Sequence, residues 1–90
     1  MADRSVRVVL SGRVQGVGMR WQCITHAEAL GLNGWVTNRP DGRVELQVEG
    51  PEPDVSGFLD WLAGSPGYSL VEDMQVSDVP PEGHQGFGVR

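Results

Sequence analysis

The sequence predicts an α+β fold in which two helices pack on one face of a mostly antiparallel sheet. Segments of alternating apolar and polar residues indicate strands, and two further segments have apolar residues at helical spacing. Each helical segment has one apolar stripe, and a shared sheet is the simplest surface that buries both stripes. The 90-residue length allows a single modest core, so residues 1–90 are expected to form one domain.

The first strand and the first helix are predicted at residues 5–11 and 19–30. The strand segment is rich in β-branched residues, and its apolar side chains largely alternate with more polar ones. The helical segment has one apolar face, and Gly31 is a suitable stop for the helix. That face consists of Met19, Cys23, Ala27 and Leu30.

A hairpin is predicted after the first helix. Residues 35–37 are prone to form a strand, residues 39–42 have the composition of a turn, and residues 44–49 alternate in polarity. One face of the second hairpin strand is expected to be buried and the polar face to be wet. The expected buried face consists of Val44, Leu46 and Val48.

A second helix is predicted to open at Pro51 and Pro53 and to end at Gly64 and Pro66. Its apolar residues follow the i, i+3, i+4, i+7 spacing that places side chains on one helix face. They are Val55, Phe58, Leu59 and Leu62.

The last third of the chain completes the sheet. Residues 70–79 are predicted to form a strand, residues 80–85 an irregular loop and residues 87–89 a short final strand. The resulting order is βαββαβ with a short extra C-terminal strand. A ferredoxin-like α/β sandwich, with both helices on one face of the sheet, satisfies this order.

Composition and charge narrow the class of function. The net charge is −5, which argues against nucleic acid as a partner. No apolar run is long enough for a membrane span or a signal peptide, so no membrane partner is expected. The single Cys23 excludes an internal disulfide and a multi-cysteine metal site, which fits a reducing cytoplasm.

The segment from Gly12 to Gly18, called the glycine loop below, has three glycines between the first strand and the first helix. Glycines let backbone N–H groups converge on one point. The helix start adds unpaired N–H donors and roughly half a positive charge, so an anion such as phosphate is expected there. Arg20 would add a permanent charge and a planar fork of donors that matches phosphate oxygens.

Asn38 ends the second predicted strand, just before the turn, and has two interpretations. Its amide could hold a water while it contacts a substrate oxygen. Alternatively, it is a turn asparagine that tolerates an unusual backbone angle, and spacing alone favours this interpretation. Whether Asn38 reaches the glycine loop depends on the strand register, which the sequence leaves open.

These two regions closely resemble the two signatures of the acylphosphatase family. The first signature, G-x-V-Q-G-V-x-[FM]-R, is matched in full from Gly12 to Arg20. The second signature specifies particular residues at spaced positions after the first helix. It is matched by Gly34, Trp35, Val36, Asn38, Gly42, Val44 and Gly50. The resemblance covers residues 6–62 well and residues 63–90 less closely.

The resemblance implies hydrolysis of the carboxyl–phosphate bond of an acyl phosphate, with Arg20 and Asn38 as the catalytic residues. Arg20 would bind the phosphoryl group and Asn38 would orient the attacking water. The phosphate would also be held by the loop residues Gln15, Gly16, Val17, Gly18, Met19 and Arg20. No metal and no cofactor are expected, and the partner is a small-molecule acyl phosphate. The expected state is a cytoplasmic monomer, and the alternative function is a non-catalytic phosphate- or carbamoyl-phosphate-binding module.

Other polar and reactive residues are interpreted as structural. Cys23 lacks the arginine six positions later that a cysteine phosphatase loop requires, and it is expected to face the core. His26 and His84 are expected to face solvent, and Trp61 to be a packing residue. The acidic residues Glu45, Glu49, Glu52 and Asp54 are expected to form a solvated surface.

Overall fold

The computed structural model describes residues 3–90 and has the predicted order of elements. Both helices and all five strands lie close to their predicted positions, and β1 extends two residues further at each end than expected. The elements are β1 (Asp3–Arg13), α1 (Met19–Ala29), β2 (Asn33–Asn38), β3 (Val44–Pro51), α2 (Glu52–Ala63), β4 (Leu70–Asp78) and β5 (Phe87–Val89). Neither helix in this part of the chain is long and apolar enough to cross a membrane.

The five strands form one sheet in the order β4-β1-β3-β2-β5. β1 pairs antiparallel with β3 and β4, β2 pairs antiparallel with β3, and β5 pairs parallel with β2. The chain therefore leaves β1, crosses through α1 and returns at β2, one strand away. This is the split βαβ arrangement of a ferredoxin-like sandwich.

The helix-covered face of the sheet holds the core. Val8 pairs with Leu46, which in turn pairs with Val36, so alternate residues of three strands share this face. All three are fully buried. The predicted stripe of α2 and residues Met19, Cys23 and Ala27 of α1 are buried against them. The prediction that two helices share one sheet face is confirmed.

The opposite face of the sheet is partly buried, whereas the sequence predicted that it is exposed to solvent. Residues 79–86 run over this face between β4 and β5, and they cover part of β3. Gln47 and Glu49 are consequently buried, with 1% and 5% exposure. The expectation that Glu49 lies on a solvated surface is wrong, because that surface is covered by a segment distant in sequence.

Glu49 anchors the covering segment. Its carboxylate accepts hydrogen bonds from the backbone N–H groups of Glu82 (2.7 Å), Gly83 (3.4 Å) and His84 (3.2 Å). The His84 side chain is only 27% exposed, so the expectation that it faces solvent is also wrong. The anchored segment leads into β5, and Phe87 of β5 is buried in the core.

Candidate active site

The glycine loop turns the chain from the end of β1 into the start of α1. A Cβ at Gly12 would collide with the carbonyl oxygen of Leu70, so only glycine fits at this bulge in β1. Gly18 is the N-cap of α1 and has a left-handed backbone, with φ 77° and ψ 18°. A glycine at this position gives the helix start no side-chain cap.

The loop leaves a set of backbone donors without partners. Among residues 3–90, the N–H groups of residues 15–20 donate no hydrogen bond to a protein acceptor. No acidic side chain lies in the first turn of α1 to neutralise the positive end of the helix dipole. Free N–H groups, an uncapped helix start and a positive potential make this loop suited to a bound anion.

Gln15 ties the loop to the β2–β3 hairpin. Its side-chain amide donates to the carbonyl oxygens of Arg39 (2.7 Å) and Arg43 (2.8 Å). The same turn is closed by the Arg39 N–H, which donates to the Arg43 carbonyl at 2.8 Å, and is braced by Asp41. The Gln15 side chain therefore fixes the distance between the glycine loop and the end of β2.

The strand register brings Asn38 to the loop. Asn38 pairs with Val44 and lies on the same sheet face as Val36, which is the face that α1 covers. At the end of β2 this position opens onto the start of the helix. The register therefore answers whether Asn38 reaches the glycine loop, which the sequence left open.

A cavity of about 370 Å³ lies between the glycine loop, the start of α1 and the ends of β2 and β5. Of the predicted site residues it brings together Gly16, Gly18, Met19, Arg20 and Asn38. Gln15 and Val17 lie outside its lining, and the side chain of Val17 packs against the core instead. The full lining consists of Val14, Gly16, Gly18, Met19, Arg20, Trp21, Ile24, Asn38 and Val89.

Four apolar residues of this lining are not among the residues that the sequence predicted for the site: Val14, Trp21, Ile24 and Val89. Trp21 directly follows the first signature and lies off the predicted apolar face of α1, so the sequence places its side chain near the loop. In the structure it is 71% exposed. Val89 has no such signal, because it reaches the cavity only through the pairing of β5 with β2. Thr37 supports this end of the site, since its hydroxyl donates to the Arg90 carbonyl at 2.9 Å.

Cys23 cannot act as a nucleophile in this cavity. It is fully buried in the core, and burial raises the pKa of its thiol to about 12. The reactive thiolate is therefore scarce near neutral pH. Within the described residues, no three His, Cys, Asp or Glu side chains are grouped closely enough to hold a metal ion.

Comparisons with known proteins agree with this geometry. A model of the acylphosphatase family matches residues 6–89. An acylphosphatase from Methanothrix thermoacetophila is 43% identical over 84 residues, which is 93% of each chain. One from Trichormus variabilis is 45% identical over 94% of this chain and 84% of its own. A crystal structure of acylphosphatase from Bacillus subtilis superposes with a TM-score of 0.92 at 39% identity, and the match covers 97% of this chain and 98% of that one.

Proposed function

The chain belongs to the acylphosphatase family, and from this premise we propose that Arg20 and the glycine loop hold the phosphoryl group of an acyl phosphate while Asn38 positions the attacking water. The observation that carries the proposal is the group of unpartnered N–H donors in residues 15–20 beside the Arg20 side chain. These donors and Asn38 line or border one cavity, although they come from segments about twenty residues apart in the chain.

The reaction is hydrolysis of a mixed carboxyl–phosphate anhydride. A water oxygen forms a bond to phosphorus while the bond from phosphorus to the acyl oxygen breaks. The carboxylate leaves with the bonding electron pair, and the water proton passes to a phosphate oxygen of the substrate. The products are a carboxylate and inorganic phosphate.

The arrangement has the chemical groups that this reaction needs. A carboxylate is a good leaving group, so the enzyme must chiefly position the water and stabilise charge on the phosphoryl oxygens. Fixed N–H donors and a guanidinium act where that charge develops, and one such donor contributes about 3–4 kcal/mol in comparable sites. The cavity lining among residues 3–90 has no carboxylic acid and no histidine, which is consistent with proton transfer to the substrate itself.

Release of inorganic phosphate from acetyl phosphate and benzoyl phosphate, with EDTA present throughout, tests the proposal. We expect steady turnover with both substrates and no loss of rate on chelation. Titration with inorganic phosphate separates turnover from simple binding. A protein that binds phosphate but releases none from either substrate would be the non-catalytic binding module. Loss of activity in EDTA with recovery on added magnesium or zinc would contradict the metal-free mechanism.

We further propose that the protein acts as a monomer in the cytoplasm. The predicted site residues Arg20 and Asn38 line the same cavity within one chain, which supports a site that a single subunit can form. The one cysteine of the sequence is buried and reduced, which suits a reducing compartment. Light scattering after gel filtration should give a mass near 9.8 kDa. A dimer whose activity falls on dilution would argue against the monomer.

A further inference from the structure

The residues that line the cavity beside the glycine loop include a polar group and an apolar group. The polar group consists of the loop backbone, Arg20 and Asn38. The apolar group consists of Trp21 and Ile24 of α1 and Val89 of β5. An acyl phosphate has the same division, because its phosphoryl group is strongly polar and its acyl group need not be.

Trp21 is placed unusually for a large apolar side chain. It is 71% exposed and borders the cavity directly after Arg20, so the side chain that follows the phosphate-binding arginine is an indole. Among residues 3–90 its ring has no aromatic stacking partner and its indole N–H donates to no protein acceptor. Large apolar surface left uncovered beside a cavity is typical of a ligand contact.

Two further residues extend this apolar surface from different elements. Ile24 lies three residues after Trp21 on α1, so the two side chains are neighbours on the helix surface. Val89 comes from β5, where it pairs with Val36 of β2, and it is 56% exposed. Arg20 is the only charged side chain that lines the cavity within the described chain. Besides Arg20, this lining therefore has no cation to neutralise a second negative charge.

We propose that Trp21, with Ile24 and Val89, binds the acyl group of the substrate and selects neutral, apolar acyl groups, with aromatic ones preferred. The inference rests on the proposed function, because it takes the phosphoryl group to be bound by Arg20 and the glycine loop. An aromatic acyl group would lie against the indole face, where ring–ring contact adds to the gain from removing apolar surface from water. A methyl group is too small to make most of this contact.

Substrate selectivity of Trp21→Ala tests the assignment. We expect kcat/KM for benzoyl phosphate to fall roughly 10-fold, the order expected when a contact of this area is lost. The value for acetyl phosphate should change less than about 2-fold, since the methyl group leaves the indole largely untouched. Tyr68→Ala is the matched control, because Tyr68 is an 87% exposed aromatic residue outside the cavity lining. Equal losses on both substrates, or no loss on either, would overturn the assignment.

Inhibitors that cannot be hydrolysed separate this inference from the proposed catalysis. Phenacylphosphonate and acetonylphosphonate replace the bridging oxygen of benzoyl and acetyl phosphate by a methylene group. Trp21→Ala should weaken the binding of phenacylphosphonate roughly 10-fold. It should leave the affinities for acetonylphosphonate and inorganic phosphate nearly unchanged. If the wild-type protein hydrolyses neither acyl phosphate, the proposed function fails, yet this selective loss of binding would still support the acyl site. Equal binding of the two phosphonates to wild type and Trp21→Ala would reject it.

Discussion

The arginines of the chain differ in what their charges contact and in whether they border the cavity, and the two differences together single out Arg20. Arg4, Arg7, Arg39 and Arg43 all form ion pairs with carboxylates at the protein surface. Arg90 lies over the ring of Trp35, 4.6 Å from its centroid. Within the described residues, Arg13 and Arg20 have no such partner, and of these two only Arg20 borders the cavity. An unpaired guanidinium beside free N–H groups can donate hydrogen bonds to an anion.

Arg20→Gln should reduce kcat/KM for acetyl phosphate by at least ~10²-fold, because the charge and the bidentate fork on the phosphoryl oxygens are lost. Affinity for inorganic phosphate should fall in parallel, as measured by product inhibition. Arg13→Gln is the matched control, since Arg13 is also exposed, at the end of β1 where the loop begins, but lies outside the cavity lining. A folded Arg20→Gln protein with near-wild-type turnover would remove Arg20 from the mechanism.

Asn38 is expected to act on the water rather than on the phosphate. Asn38→Ala should therefore lower kcat by ~10²-fold or more and leave the inhibition constant of inorganic phosphate nearly unchanged. Asn33→Ala is a suitable comparison, because Asn33 begins the same strand and its amide oxygen accepts the Gly86 N–H at the far end. Parallel losses of kcat and phosphate affinity in Asn38→Ala would make Asn38 a binding residue instead.

At the scale of elements, local sequence patterns predict the helices and strands and their buried faces. Pairing between distant segments then sets how these elements are arranged. The stripes of α1 and α2 and the alternation in β3 are local, so their buried faces were predictable from spacing. A glycine loop that leads into an uncapped helix start was predictable, because its glycines and the helix start are adjacent in sequence. The approach of Asn38 to this loop was not, since it depends on the register of β2 against β3.

The burial of Glu49, on the sheet face opposite the helices, was likewise not predictable from the local sequence pattern. Alternation predicts a wet glutamate, whereas the segment 79–86 covers it. Burial is the largest single influence on its carboxyl group and favours a higher pKa. The N–H donors of Glu82, Gly83 and His84, with the nearby His84 ring, together outweigh burial, so the pKa of Glu49 lies below its usual value.

Glu49→Gln should lower the free energy of unfolding at pH 7 by about 2 kcal/mol, because a charged acceptor of several N–H groups is replaced by a neutral amide. The sign of the pH dependence follows from the lowered pKa. The carboxylate stabilises the fold fully above its unfolded pKa of about 4.3, and this contribution is lost as pH falls through the lower folded value.

Urea denaturation between pH 7 and pH 3 measures this difference. The gap between wild type and Glu49→Gln should be constant above about pH 5 and should shrink below it. Glu45→Gln changes the same residue type on the same strand face, where the carboxylate pairs with the half-exposed Arg7 at the surface. It should cost less than about 1 kcal/mol. A Glu49→Gln gap that does not vary with pH would show that the carboxylate charge does not hold the covering segment.

At the scale of the whole molecule, the cavity exists only in the folded chain. Its lining comes from the glycine loop, α1, β2 and β5, so residues 14 and 89 meet at one site. The sequence predicted the polar half of this site, because both signatures lie before residue 51. It could not predict the contribution of Val89 to the apolar part, because Val89 reaches the cavity through the parallel pairing of β5 and through a segment that Glu49 anchors. Anion binding should accordingly be coupled to folding.

Inorganic phosphate should therefore raise the melting temperature of the protein. A ligand that binds only the folded state at 100 times its dissociation constant stabilises it by about 2.7 kcal/mol. For a domain of this size each kcal/mol raises the melting temperature by about 4–8 °C. Thermal unfolding with phosphate, and with sodium chloride at equal ionic strength, measures the shift and controls for charge screening. Arg20→Gln should lose most of the shift, whereas Arg13→Gln should keep it. A shift of equal size in Arg20→Gln would mean that phosphate acts on the fold from outside this cavity.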